Sequence, residues 1–417
     1  MKKFEVNPIS HKKTLHLFSQ GTINPIQGGS GLFNFQIAEY FISNDYKFCF
    51  YTNAAKDFLG DHQLSHSEIA QLISDNNPLV NYETVLNNLH ISSLSEFSAE
   101  SFSSLLDKAN DQKIIIFSNS WLYYQKYFQN IACLVILSDL ASLRHAEVIS
   151  NCLSKVSLRL STFLLLWHHL INFFQAKFKE YLLFKNLRFS NNTVSTFSPY
   201  EYFLIKKHIP NITLTRWFTP YHAINSSPRI INVRLNKTLR FLLVGDMNST
   251  ASWSIVLSVL ELVKAINSLP SDYAFEFHFV GKASLQSEGI FCKVNTANIK
   301  YFFHGQVDTL TPFFTLCDIY LAIGDYRCGI RTRIITAFSY GIPVIASTSF
   351  SYGLIDPVDK YNWLLINDNN ELVKILTQIL DNQINLSKIG QAGRELWERC
   401  YNPKINIAIL ANQLFSK

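Results

Sequence analysis

The sequence predicts an α/β protein built from two doubly wound parallel-sheet domains. Three observations point there. At 417 residues the chain is longer than one hydrophobic core usually organises. Short apolar β-type runs alternate with helical patterns from end to end, as they do when helices cover both faces of a parallel sheet. That alternation lapses across residues 221–237, rich in Asn, Ser and Pro, and then restarts.

The elements justify this in order. "TLHLFS" (14–19) is a first strand, "GLFNFQIAEYFIS" (31–43) a helix entered through a Gly-rich turn, and "KFCFYT" (47–52) a second strand. "SHSEIAQLIS" offers Ser65 as a helix cap with Glu68 three residues on, a capping box. Strands follow at "KIIIFS" (113–118) and "IACLVILS" (131–138), and the first half ends near "NITLTRWFTP". After the linker come a strand at "RFLLVG" (240–245), a helix across 251–268, strands at "FEFHFVG" (275–281) and "DIYLAI" (318–323), a helix across 332–340 and a strand at "IPVIAS" (342–347). Asn402 and Pro403 form the cap and first residue of a last helix, expected to pack back across a cleft between the domains. The expected boundaries are 1–220, linker 221–237, 238–400 and a crossover helix at 401–417.

Composition narrows the function. Hydrophobic residues make up 48% and charged residues 16%, with no tract suggesting a disordered arm. The net charge of +6 favours anionic ligands or an acidic membrane surface but falls short of the dense basic stripe of a nucleic-acid binder. Seven scattered cysteines without a C-x-x-C pair indicate neither a disulfide framework nor a zinc knuckle, so a reducing, cytoplasmic compartment is expected. The positive start "MKKFEVNPISHKK" lacks an apolar region behind it, so no export is expected.

The densest chemistry lies in "DIYLAIGDYRCGIRTR", where Arg327, Arg331 and Arg333 fall within seven positions between a strand end and a helix start. Ligands of open parallel sheets settle at the carboxyl ends of strands, where helix N-termini favour anions. Taken singly, these arginines read as solvated surface or as partners of Asp325 and Asp318. Taken together with Gly329, which lets backbone approach a ligand closely, they read as a diphosphate site.

"GIRTRIITAFSYGIPVIAS", preceded by "FHGQVDTLTPFFTLCDIYLAI" and followed by "FSYGL", resembles the donor-site region of GT-B glycosyltransferases of the retaining group 1, family 4-like type. "GGSGLFNFQIAEYFISNDYKFCFYT" is similar to the acceptor-facing first turn of the same class. The resemblance implies that Arg331 and Arg333 hold a pyrophosphate, with Gly329 and Ile330 presenting N–H groups. Gly245 and Asp246 would lie near the same diphosphate, and the loop carrying Gln306 and Val307 along the nucleobase. Arg327 and Asp325 complete the expected donor set, and Gly28, Gly29 and Ser30 the acceptor set.

Two positions depart from that pattern. Many relatives carry a basic residue after the first turn of the second domain, yet none stands between Arg240 and Lys264. Thr336 occupies a position that is usually glutamate, whose two oxygens can accept from both ribose hydroxyls; the loss is worth on the order of 1–3 kcal/mol. Asp325 or Asp356 is the available substitute.

The expected reaction moves a sugar from a nucleotide-sugar to a surface glycan or lipid-linked acceptor. Fixed cations stabilise the departing diphosphate. No Asp-x-Asp pair is present, so neither a metal nor another cofactor is expected. For the retaining class the leaving phosphate takes the acceptor's proton. Asp139, Arg144 and His145, just past a buried strand, are the acceptor-side candidates; Asp139 also reads as a helix cap and Arg144 with Glu147 as an ordinary helical pair. His168 and His169 read as core or interface residues. The alternatives are a catalytically silent glycosyltransferase-like subunit and an epimerase of the same architecture. The segment 155–188 combines Phe163, Trp167, Phe173, Phe174, Phe178 and Phe184 with Lys155, Arg159, Lys177, Lys179, Lys185 and Arg188. It reads either as a helix lying on an anionic bilayer or as one buried in the first domain.

Overall fold

The computed structural model describes residues 13–19, 23, 28–52, 88–93, 112–117, 133–137, 140–154, 160–188, 190, 192–215, 231, 237–247, 250–266, 269, 272–282, 284, 288–291, 298–307, 309–324, 327 and 329–415. The expected capping-box helix at Ser65 and Glu68 lies outside them, as do most of the 221–237 linker, Asp139, Asp325, Lys155 and Arg159. Packing divides the chain into two compact units, 1–137 with 189–195 and 407–417, and 138–188 with 196–406.

The first sheet has seven strands: β1 (Thr14–Phe18), β2 (Lys47–Thr52), β3 (Leu89–Ser93), β4 (Gln112–Phe117), β5 (Leu134–Leu137), β6 (Thr193–Thr196) and β7 (Ile212–Leu214). Their order is β3-β2-β1-β4-β5-β6-β7, and β1 pairs in parallel with both β2 and β4. Every residue of β1 is buried, as a strand covered on both faces must be. Helix α1 (Gly28–Ser43) follows. It starts earlier than the sequence pattern suggests, because Gly28 and Gly29, expected in a turn, form its first turn. Glycines carry no side chain to display a helical period.

The second sheet comprises β8 (Thr238–Val244), β9 (Ala274–Val280), β10 (Ile299–Phe303), β11 (Ile319–Ala322), β12 (Val344–Ser347) and β13 (Leu364–Ile366). The order is β10-β9-β8-β11-β12-β13, with every pairing parallel. Alternate residues supply two cores. Phe241, Leu243, Phe277, Ile319 and Leu321 pack with Val256, Val259 and Val263 of α5 (Thr250–Ile266) and with Leu372 and Leu376 of α9 (Asn369–Leu380). On the other face Leu242, Val244, Tyr320 and Val344 meet Ile334, Ile335 and Phe338 of α8 (Thr332–Ser339) and Leu396 and Trp397 of α10 (Leu386–Cys400). This is the doubly wound arrangement the alternating pattern predicts.

Three further helices belong to the second unit: α2 (Ala141–Ser154), α3 (Leu160–Arg188) and α4 (Pro199–Lys206). Two shorter ones there, among the described residues, are α6 (Glu288–Phe291) and α7 (Thr311–Leu316). The last helix, α11 (Pro403–Phe415), begins in the second unit, while its residues from Ile407 onward belong to the first. There Phe415 packs on Tyr46 at 5.0 Å and on Phe41 at 6.0 Å between ring centres.

Candidate functional site

In a sheet of order 3-2-1-4-5-6 the strand connections reverse direction between the first and fourth strands, leaving a crevice outside their carboxyl ends. In the second sheet those strands are β8 and β11. Their register pairs Ile319 with Phe241 and Tyr320 with Leu242, so the turns that leave them, at Gly245 and Ile323, start side by side. Of the sequence-predicted donor residues, Gly245 and Asp246 fall on the first turn and Arg327, Gly329, Ile330 and Arg331 on the second, while Gln306 and Val307 follow β10 and Arg333 and Thr336 lie in α8.

Close backbone approach shapes the β8 side. Gly245 donates to Val280 O at 2.9 Å, and Gly281 donates to Gly305 O at 2.7 Å. Gly281 has φ 128°, and a Cβ there would stand 2.1 Å from Gly245 O, so only glycine fits. Gly305 N in turn donates to Ser284 Oγ at 2.8 Å. Beyond it Gln306 is exposed, while Val307 is half-buried and packs against the second core. Asp246 is half-buried in the turn after β8.

The turn between β11 and α8 carries the arginines, and the last residue of β12 together with the short 3-10 turn after it (Thr348–Gly353) holds it at five points. Gly324 N donates to Ser347 Oγ at 2.9 Å, and Ser349 Oγ donates to Gly324 O at 2.8 Å. The Arg327 guanidinium lies over the Tyr352 ring at 5.5 Å. That of Arg331 lies over Phe350 at 4.7 Å. Gly329, at φ 75°, passes so close to Gly353 that a Cβ on the latter would sit 2.2 Å from Gly329 O. Stacking on an aromatic face fixes a guanidinium's plane, so the turn presents oriented cations.

A sixth restraint comes from α2, where Glu147 Oε1 accepts the Arg327 backbone N–H at 2.6 Å. The sequence reading gave Glu147 only an ordinary helical pairing with Arg144. Phe350, Tyr352 and Glu147 are thus the residues it missed. Stacking and capping across 19 to 180 residues leave no local sequence signal.

Arg331 is half-buried as the residue preceding α8; Arg327 and Arg333 are exposed. Ile330 is half-buried. Beneath them burial pushes the Tyr320 phenol up to about 12, against the opposing pull of Arg333 and Arg331. Thr336 is buried in α8, and its hydroxyl donates to Thr332 O at 2.9 Å. Its proton is committed to its own helix, leaving only oxygen lone pairs for a ligand. Asp356, the other carboxylate considered, is exposed at a positive φ of 56°.

The acceptor-side candidates are placed differently. Arg144 is exposed on α2, and His145 is half-buried with its Nδ1 2.9 Å from His169 Nδ1. Burial holds both imidazoles below their usual value, with each other's proximity adding to the effect on His169. His168 is exposed and pairs with Asn172 at 2.8 Å, so it is not a core residue. The start of α2 is already occupied by carboxylates. Glu201 Oε1 accepts from Leu140 N at 2.8 Å, and Glu180 accepts from Ser142 N at 2.9 Å and Ser142 Oγ at 2.6 Å. Gly28, Gly29 and Ser30 form the first turn of α1 in the first unit.

Comparison with known proteins follows these lines. Residues 238–382, which span the second sheet and the arginine turn, match the family described as glycosyl transferases group 1. Among solved structures, sucrose-phosphate synthase from Thermosynechococcus elongatus superposes with TM-score 0.60 at 17% identity, covering 97% of this chain and 100% of its own. A glycosyltransferase from Rickettsia africae gives 0.64 at 13% identity, covering 97% and 98%. The Anabaena protein HepE, solved in complex with UDP, gives 0.62 at 12% identity, covering 97% and 100%. A comparison with curated proteins finds no match. The chain therefore has the GT-B fold, two Rossmann-like halves in one polypeptide.

Proposed function

We propose that this protein is a retaining, metal-independent glycosyltransferase that moves a hexose from a nucleoside-diphosphate sugar to a surface glycan or lipid-linked acceptor. The observation that carries the reading is the arginine turn at the switch point of the second sheet, with Arg331 stacked on Phe350 and Arg327 on Tyr352. Breaking the sugar–phosphate bond leaves negative charge on the diphosphate. Guanidinium groups already fixed in place stabilise that charge without reorganising during the reaction. Arg331 and Arg333 bind the diphosphate, Gly329 and Ile330 add backbone N–H groups, and Gly245 and Asp246 border it. Gln306 and Val307 lie along the base. HepE has also been solved with UDP-glucose, which makes UDP the first nucleotide to try.

Acceptor activation is assigned to the leaving phosphate, with Asp139, Arg144 and His145 as acceptor-side groups. The proposed place of action is the cytoplasmic face of a membrane. The proposed domains remain 1–220, 238–400 and the crossover helix 401–417, joined by 221–237.

A second reading, a silent glycosyltransferase-like subunit, is favoured by Thr336, whose hydroxyl proton is spent on Thr332 O. A thermal-shift screen with UDP, GDP, ADP, TDP and CMP separates the two. Stabilisation by one nucleotide, lost in both Arg331→Ala and Arg333→Ala, supports the enzyme; no response to any of the five selects the silent subunit. Transfer to an acceptor, rather than conversion of the free nucleotide-sugar, then separates a transferase from an epimerase.

A further inference from the structure

Helix α3 runs for 29 residues, about 43 Å at 1.5 Å per residue. One face is buried. Ala176, Glu180, Leu183 and Leu187 point inward, and Glu180 caps α2 from there. The opposite face ought to be polar on a helix at a protein surface. Instead Trp167, Ile171, Phe174, Phe178 and Tyr181 stand exposed, at 59%, 45%, 64%, 63% and 61%. Their spacing of four, three, four and three places all five within about 40° of one line along the helix at about 100° per residue. Lys185 continues that line by another four. The exposed apolar area is on the order of 600 Å², at the top of what a monomer surface carries without a use.

The exposed charges of α3 itself are of one sign, although Lys177 also pairs with Glu180 at 3.8 Å. Lys177, Lys179, Lys185 and Arg188 are exposed, and the helix's one carboxylate, Glu180, is on the buried side. At the C-terminal end Phe184 stacks on His208 at 5.3 Å, which brings the exposed Lys206 and Lys207 alongside. The four-three spacing would also suit a seam with a second copy of the helix. Such a pairing would set cation against cation with no exposed carboxylate on α3 to answer Lys179 or Lys185, and bulky aromatic rings would have to fill the narrow seam. An anionic lipid surface meets both features at once. Aromatic rings enter the headgroup–acyl boundary, and flanking lysines stay with the phosphates.

We infer that the exposed face of α3, from Trp167 to Lys185, is a docking surface for an anionic phospholipid bilayer, with the helix lying in the plane of the headgroups. Among the described residues no helix is long and apolar enough to cross a membrane, so the association is peripheral. The inference deepens the proposed transferase reading, on which it rests only for its purpose, bringing the chain to a lipid-linked acceptor.

The test is co-sedimentation of the full chain with phosphatidylcholine vesicles, with and without phosphatidylglycerol. The expected result is binding to the anionic vesicles at low salt, at least about tenfold weaker in high salt. The double variant Phe174→Ser, Phe178→Ser should lose at least about tenfold in partitioning. Lys179→Glu with Lys185→Glu should bind more weakly and lose most of the salt dependence. All four positions are exposed, and an unchanged melting temperature shows that each variant is folded.

No binding to anionic vesicles at low salt overturns the inference. So does equal binding by the folded Phe174, Phe178 variant. Dimerisation of the lipid-free protein that the same variant abolishes, without vesicle binding, assigns the face to a second copy instead. Vesicle binding without stabilisation by any nucleotide keeps the lipid surface and removes the transferase reading. Nucleotide stabilisation without vesicle binding does the reverse.

Discussion

Replacing Gly353 by alanine adds one methyl group at the point where the 3-10 turn touches the arginine turn. Gly353 is not among the residues with positive φ, so the substitution introduces no backbone strain of its own, and its whole effect is steric. The new Cβ would stand 2.2 Å from Gly329 O, 3.3 Å from Gly329 C and 3.5 Å from Ile330 Cα. All three are backbone atoms, so no side chain can swing aside. Relief requires one turn to retreat by about 1 Å to reach ordinary van der Waals separation. Overpacking of this kind costs about 1–3 kcal/mol of stability. The same shift moves Ile330 and Arg331 relative to Phe350, and misplacing a reacting group by about 1 Å costs roughly a hundredfold in rate. Two measurements check it. Urea unfolding reads the stability loss, and calorimetric titration with the nucleotide that stabilises the native protein reads the site. Weaker nucleotide binding by at least about tenfold is expected for Gly353→Ala. Wild-type affinity in a variant that has lost stability would show that the arginine turn does not hold the nucleotide, and wild-type stability would show that the two turns are not in tight apposition.

Two further outcomes concern the scaffold. His278 is buried against His304, with Nδ1 3.1 Å from the neighbour's Nε2, and burial lowers it to about 4, with His304 and Arg240 pushing the same way and Glu276 opposing. A histidine held neutral in the fold gains its proton first in the unfolded chain. Its contribution is therefore complete above about 6.5 and is lost as pH falls toward 4, by about 1–2 kcal/mol once solvent screening is allowed for. Urea midpoints at pH 7 and 4.5 should show this loss, and His278→Gln should flatten it; parallel curves for the two proteins would exclude His278 as the cause. Glu180→Ala removes the acceptor of Ser142 N and Ser142 Oγ in a buried site, so it should cost about 2–4 kcal/mol in chemical denaturation. A change below about 1 kcal/mol would mean that the start of α2 does not depend on that carboxylate.

The sequence by itself determined the two-sheet α/β plan and the position of the arginine turn. Both follow from local rules. A strand buried on both faces must be apolar along its length, as "RFLLVG" and "DIYLAI" are, and a helix start after such a strand is favourable for anions whatever else the chain does. Strands such as β10, exposed on alternate residues, and the three-residue β13 were not legible, because neither is the longer continuous apolar run that marks a strand buried on both faces. The start of α1 was hidden for another reason, its first residues being glycines.

The tertiary structure alone decided what holds the site. Arg331 rests on Phe350 and Arg327 on Tyr352, while Glu147 reaches Arg327 from 180 positions away. None of these pairs shares a helix turn or a strand, so no periodicity announces them. It also showed which side of the segment ending at Arg188 is exposed. An apolar helix with scattered lysines can be written for a protein core or for a lipid surface. Only the packing of α2 against one side of α3 shows which aromatic residues remain in contact with solvent.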